Sequence, residues 1–445
     1  MQAFLNRLME AAKAAGIEAA EAYVVEQDSF SAMTNDGEIT EYKSNTTRGM
    51  GFRGMKNGRM GYSSTEAFDD EAIGQLIKGV LESAELCEDT DVEFLYNGDE
   101  PLPELDLFNT ELEKVTPEEK IACALEMEKI TKAYDKRIEQ VPYNMIQTGK
   151  HTIRIMNTHG LDRSYSENIC ALLNEATAKD DGFVSSGSYG LIKHSLDAGD
   201  AKRVAMEAAS RAVYWLHAAP VPSGKYHVVF FNEVMTGLMS AFAGIFMADT
   251  AQKGLSLLAG KLDTKIAAPC VTLVDDPLLQ EGLESRPFDA EGVPSKAHTV
   301  IDAGMFKTFL HNLKTAHKDG VKTTGNASKA GYASTVHVSP SNLYFQAGSK
   351  SFDEMLESIG DGIVITEVSG LHAGANAVSG DFSLLSKGYT FQNGKRGKPV
   401  EQITVAGNYY ELLQNAREFA NDLRFPDGGM GSPSADVGEL SISGC

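Results

Sequence analysis

Apolar residues recur at helical spacing over 2–15 and alternate with polar ones over 20–27, 38–44, 49–54 and 58–64. The first pattern predicts an amphipathic helix and the second a set of half-buried strands. Asn35-Asp36-Gly37 and Lys56-Asn57-Gly58 fall between strand segments, where hairpin turns need residues that tolerate positive φ. Asp69 precedes a run with Ile73, Ile77, Val80 and Leu81 on one face, which makes it the expected cap of a second helix. Residues 1–90 thus read as helix, antiparallel meander, helix. The acidic, Pro-containing stretch that follows, 91–115, reads as a linker.

The same plan recurs over 116–217. Thr116-Pro117-Glu118-Glu119 places a capping hydroxyl, a proline and two acids where a helix begins, and the helix is expected to run to about Tyr134. Strand-like runs follow at 138–147, 151–157, 161–177 and 182–192, with an Ala-rich helix at about 198–216. The two units share an order of elements but no letter-by-letter repeat. Two prolines, a serine and a glycine in 218–225 mark a break before a Gly-rich, β-rich third unit, 226–445. Its strand runs at 270–274, 298–302, 335–338, 361–368, 400–406 and 438–442 alternate irregularly with helical runs near 309–318, 351–359 and 408–418. The expected class is α+β: N-terminal helix and antiparallel-strand units, then a larger mixed-sheet or barrel-like domain.

Composition narrows the function classes. At 445 residues, 42% hydrophobic and 23% charged, the chain has room for two or three ordinary globular units. A formal charge of −22 without a basic stripe argues against a nucleic-acid surface. Cys87, Cys123, Cys170, Cys270 and Cys445 lack paired spacing, which suits neither a disulfide framework nor a zinc knuckle and fits a reducing compartment. With no signal-peptide pattern at Met1–Gly16 and no apolar run of membrane-spanning length, a cytoplasmic location off the membrane is expected. Neither a G-x-S-x-G elbow nor a Walker-type or dinucleotide-binding glycine motif is present. His311 and His317 are six apart, which on a helix gives no shared metal-binding face, and Gly49, Gly51 and Gly428–Gly431 read as turn glycines.

Four stretches carry a family resemblance. They are Tyr226–Ser256, where a strand passes into a helix bearing Leu238, Phe242, Ile245 and Phe246, and the segments FDAEGVPSK (288–296), TTGNA (323–327) and SGDFSLLSKGY (379–389). The chain resembles the PmbA/TldD family, also called modulators of DNA gyrase, whose TldD members are zinc metalloproteases with an H-E-x-x-x-H helix. Laid on that helix, the motif's positions fall on Met239, Ser240 and Gly244, and the region matching a further TldD cysteine ligand, 425–438, has no Cys, His or Lys. The resemblance is therefore to the PmbA/TldE branch, which implies no catalytic residue, metal or cofactor on this chain. It implies pairing with a TldD-type homologue in a zinc protease that trims small unfolded peptides held in extended form, with self-pairing as a homodimer the non-catalytic alternative. A stand-alone peptidase with an unrecognised site and a non-catalytic homodimeric peptide-binding protein are the other two readings.

Asp289, Glu291, Thr324, Asn326 and Asp381 are the candidates for lining a peptide groove. Asp289 and Glu291 lie two apart, so an extended chain points both carboxylates to one side, where they can bind a cation, orient an amine or share a raised pKa. Equally, both can accept hydrogen bonds from a turn at Gly292. Thr324 and Asn326 belong to a donor-rich loop that can hold a peptide backbone or simply form an Asx or ST turn. Asp381 opens the 381–389 run beside the turn residue Gly380.

Overall fold

The computed structural model describes residues 1–88, 91–98, 100–426 and 428–445. Helix α1 (Gln2–Ala14) leads into strands β1 (Ala19–Asn35), β2 (Glu38–Lys56) and β3 (Arg59–Thr65), then helix α2 (Asp70–Leu86). Asp69 caps α2 by accepting from Ala72 N–H, and the turns before β2 and β3 take positive φ at Asp36, Gly37, Asn57 and Gly58. The two segments expected at 38–44 and 49–54 are one strand. Its outer half, 38–48, is largely exposed, and the join at Asn45–Arg48 holds no apolar residue to signal that the two runs are continuous. Gly49 and Gly51 lie within this strand rather than in a turn.

The linker region crosses the sheet instead of hanging free. It buries Leu95 and Leu107 and ends in a short helix, α3 (Thr110–Lys114), whose cap Asn109 is bonded to Asn168. Helix α4 (Pro117–Tyr134) begins at a capping box in which Thr116 and Glu119 satisfy each other's backbone N–H groups. Strands β4 (Ile138–Asn157), β5 (Asp162–Asp180) and β6 (Phe183–Lys193) and helix α5 (Asp200–Tyr214) complete this half. Residues 138–157 form one strand where the pattern suggested two.

The strands of both halves make a single antiparallel sheet ordered β3-β2-β1-β4-β5-β6. Even-numbered residues of β1 point to the helices. Ala22 and Val24 pack under α1 and α2, while Phe30 and Ala32 pack under α4 and α5. The odd-numbered Tyr23 and Val25 face the opposite way, against Phe288, Ala290 and Ala327 of the third unit.

That third unit begins with strand β7 (Gly224–Phe230), which runs straight into helix α6 (Asn232–Phe242). Strand β7 pairs in parallel with Gly362–Ser369 and antiparallel with Ala435–Ser443. Asp381–Gln392 and Lys395–Asn408 extend the sheet, and Lys395–Asn408 pairs back onto Ala435–Ser443, closing a five-stranded barrel. The fold is thus α+β with a mixed, closed C-terminal sheet. The largest core fills this unit, with Val234, Met235, Leu238, Met239 and Phe242 of α6 all buried. A second sheet of five short strands, including Leu343–Phe345, ends at the edge strand Met430–Gly431. No described helix is long and apolar enough to cross a membrane.

Candidate functional site

The first turn of α6 is pinned where the C-terminal segments converge. Ser434 Oγ accepts from Asn232 N–H at 3.0 Å, and Glu233 is bonded to Arg211 at 2.7 Å and to Arg424. The exposed side of α6 then forms one wall of a cavity of about 680 Å³. Thr236, Gly237, Ser240 and Ala241 line that wall, with His372 on one side and Pro426, Gly428, Gly429 and Met430 opposite. Of the three positions aligned with the metal motif, Ser240 lines the cavity, Met239 is fully buried in the barrel core, and Gly244 borders open space.

Segments far apart in sequence therefore meet here, α6 with Pro426 and Gly428–Met430, and these described residues bind metal poorly. Of the acids at the rim, Glu233 is committed to two arginines. Among the described residues no group of three or more His, Cys, Asp or Glu is placed to hold a metal ion. A tetrahedral zinc site needs three protein donors, so the described residues do not fit one.

Glu284 lines this cavity and also a second one of about 450 Å³, so the two adjoin. The second lies between the N-terminal sheet and the third unit. Register builds its floor: Val25, Ile153 and Tyr165 stand opposite one another across β1, β4 and β5, and Gln27, His151 and Glu167 form the next row. Arg286, Phe288, Asp289 and the loop 328–332 form the other side. Gly49 and Gly51 explain how that loop reaches β2. A Cβ at Gly49 would lie 2.2 Å from the Tyr332 ring, and one at Gly51 would lie 1.9 Å from the Tyr332 carbonyl oxygen. Tyr332 fastens the loop by donating to Glu66 at 2.5 Å.

Asp289, Glu291, Thr324 and Asn326 come together beneath this second cavity, and only Asp289 lines it. Asp289 is 1% exposed and accepts from the N–H groups of Glu291, Val293 and Ala327 at 2.9–3.0 Å. It builds the turn at Gly292, where φ is +82°. Glu291 accepts from Leu313 N–H at 2.8 Å and lies 3.7 Å from Arg53, which in turn holds Glu21 at 2.7 Å. This buried Glu21–Arg53–Glu291 chain ties β1 and β2 to the third unit. Burial holds the carboxyls of Asp289 and Glu291 above the ordinary range.

Thr324 accepts from His311 N–H and donates to Asn326, whose amide donates to Asp275 at 2.7 Å. These contacts favour the turn-building alternative for the loop. Asp381 lies elsewhere, exposed at the start of a barrel strand, with Asn408 and then Ser379 holding its carboxyl below the usual value. The groups that sequence reasoning missed are Tyr23, His151, Tyr165, Arg286 and Lys329. Periodicity placed Tyr23 and Tyr165 on strands, but no local signal says which distant strands align.

Comparison with known proteins agrees with this architecture. The chain is 27% identical over 410 residues to metalloprotease PmbA of Escherichia coli O157:H7, covering 91% of this chain and 88% of that protein. It is 25% identical over 462 residues to a metalloprotease TldD homolog of Haemophilus influenzae, covering 96% and 93%. A Thermotoga maritima protein described as a modulator of DNA gyrase superposes with a TM-score of 0.92 at 32% identity, covering 99% of this chain and 100% of that one. TldE from Thermococcus kodakarensis shares the fold at a TM-score of 0.90 and 21% identity over 99% and 100% of the two chains. Models of the PmbA/TldA metallopeptidase domain 1, central domain and C-terminal domain match residues 20–84, 110–214 and 223–444, and the chain belongs to this PmbA/TldD metallopeptidase family.

Proposed function

We propose that this chain is a TldE-like subunit that shapes a groove for unfolded peptide and works with a TldD-type partner carrying the catalytic zinc. The observation behind this reading is the cavity where α6 meets Pro426 and Gly428–Met430. There the family's metal-helix positions offer Ser240 to the cavity, Met239 to the core and a bare Gly244. No step of peptide hydrolysis is assigned to this chain's residues.

What the chain supplies is shape. The first and second cavities share Glu284 and the first shares Glu233 with a smaller one, so three cavities stand side by side, which we read as a trough for an extended chain. The edge strand Met430–Gly431 borders the trough, where an added strand can pair through backbone hydrogen bonds with little sequence preference. The proposed setting is the cytoplasm, with the catalytic partner a TldD-type homologue.

The test is metal content and cleavage of an unfolded peptide by the purified chain, alone and mixed with a TldD-type protein from the same cell. The expected result is less than stoichiometric zinc, no cleavage alone, and cleavage on mixing that exceeds the partner's own. Stoichiometric zinc together with cleavage by the chain alone would overturn the reading.

A further inference from the structure

We infer that the second cavity is a carboxylate-binding subsite, in which Arg286 and Lys329 receive the C-terminal carboxylate of a peptide lying in the trough. This rests on the peptide-groove reading above and adds the end of the peptide that is held and the groups that hold it.

Arg286 is the first observation. Among the described residues its guanidinium makes no side-chain hydrogen bond and has no carboxylate within 4 Å, and its Nε and Nη2 are buried without partners. Arginine cannot shed its charge to relieve this, so an anion is the natural complement of the fork. Of the surrounding acids, Glu284 shares the cavity but comes no nearer than 4 Å to the guanidinium, and the others are engaged. Asp289 spends both oxygens on three backbone N–H groups, Asp275 is bonded to Asn326 and Ser341, and Glu167 lies 3.6 Å from His151.

Lys329 is the second. It has no carboxylate within ion-pair distance among the described residues, and its ammonium lies over the Tyr23 ring, 4.8 Å from the centroid. The clasp of Tyr332 on Gly49 and Gly51 sets the loop that carries it. Burial, with help from Arg53, lowers its pKa to about 8. The hydroxyls of Tyr23 and Tyr165 make no hydrogen bond among the described residues and add donors to the same wall. In a protein of net charge −22, two cations on one cavity wall with no carboxylate within 4 Å of either, among the described residues, point to an anionic guest.

The remaining lining chooses the anion. Glu167 and Glu284 share the cavity and oppose a dianion, which favours a carboxylate over phosphate. Val25, Ile153 and Phe288 give the adjoining surface an apolar character that suits the terminal side chain. Because this cavity shares Glu284 with the one along α6, a peptide lying there can reach it with its C-terminus.

Calorimetric titration of the full chain with N-acetyl-leucine, N-acetyl-leucinamide and inorganic phosphate tests the subsite without requiring a long peptide. A ten-residue unfolded peptide ending in leucine, as free acid and as amide, tests the trough. The free acids should bind about tenfold or more tighter than the amides. Arg286→Ala and, separately, Lys329→Met should bring the acids to the amide level while melting and circular dichroism show the fold retained. Should Arg286→Ala fail to fold, Lys329→Met and the acid–amide difference in the unaltered protein decide the matter. Equal binding of acetyl-leucine and its amide overturns the subsite, as does phosphate binding more tightly than acetyl-leucine. Binding of acetyl-leucine but of neither decapeptide keeps the subsite and overturns the peptide-groove reading instead.

Discussion

Replacing Arg53 with methionine removes the central charge of the chain that joins the N-terminal sheet to the third unit. Arg53 is 2% exposed, with Glu21 at 2.7 Å and Glu291 at 3.7 Å, and both acids are equally buried. Methionine keeps much of the volume and leaves two carboxyls without a cation. At pH 7 each carboxyl forced to take a proton costs about 1.4 kcal/mol per unit above an unfolded pKa of about 4.3, hence about 3.7 kcal/mol. Burial already raises Glu291 to about 8 beside Arg53, so its cost is largely borne by the unaltered protein; Glu21 alone sets the ceiling, and relaxation with water entry brings the expected loss to about 2–3 kcal/mol.

The loss also has a sign in pH. A carboxyl whose folded pKa is raised keeps its full contribution below its unfolded pKa and loses it as pH rises through the folded value. Arg53→Met should therefore be mildest near pH 4–5 and most damaging at neutral pH and above. The unaltered protein carries a weaker tilt of the same sign, because burial raises Glu291 against the downward pull of Arg53. Thermal melting at pH 5, 7 and 8 would compare the protein with Arg53→Met and with a triple variant adding Glu21→Gln and Glu291→Gln. The order of Tm is the readout, since a chain of several units does not license a two-state free energy. The triple variant should recover more than half of the loss. A penalty that ignores pH, or a triple variant no better than the single one, refutes the reasoning.

Three other outcomes are expected. Carboxylate binding should weaken as pH rises through about 8, where Lys329 loses its proton amid Arg53, Glu21, Glu291, Glu93 and Tyr23. Titration in Lys329→Met should flatten that dependence, and a slope that persists assigns it to another group. Gly51→Ala puts a Cβ 1.9 Å from a backbone oxygen, so the loop 328–332 must move by about 1.5 Å to reach ordinary contact, and amine-reactive labelling of Lys329 should rise several-fold. Phe242→Ala, at a fully buried ring stacked 4.6 Å from Tyr409, should cost about 3–5 kcal/mol and lower the Tm of the barrel without touching the capped helix at Thr116.

Local chemistry was legible in the sequence wherever a few neighbouring residues decide it. The cap at Asp69, the box at Thr116 and Glu119, and the Asp36-Gly37 and Asn57-Gly58 turns each follow from side chains within a few positions of the backbone they serve. Gly49 and Gly51 misled because their reason for being glycine lies in Tyr332, nearly three hundred residues away. The 379–389 segment reads as a motif beside the turn residue Gly380, whereas most of it lies in the barrel strand Asp381–Gln392, with alternating burial. At Asp289 and Thr324 the functional and turn-building readings predict the same residue types, and only burial with defined N–H donors separates them. Arg286 and Lys329 carried no motif. Their interest comes from what fails to stand beside them, which a sequence does not record.

The pairing of β1 with β4 has a consequence for synthesis. Met33 finds its neighbour at Met145, more than a hundred residues later. At about 5–20 residues per second of translation, β1 waits several seconds or more on the ribosome with one edge unsatisfied. Its stretch Ala19–Val24, which becomes buried on both sides, is during that interval a largely apolar ribbon open to other nascent chains. A chaperone that engages emerging polypeptides would find its first natural hold on this protein there.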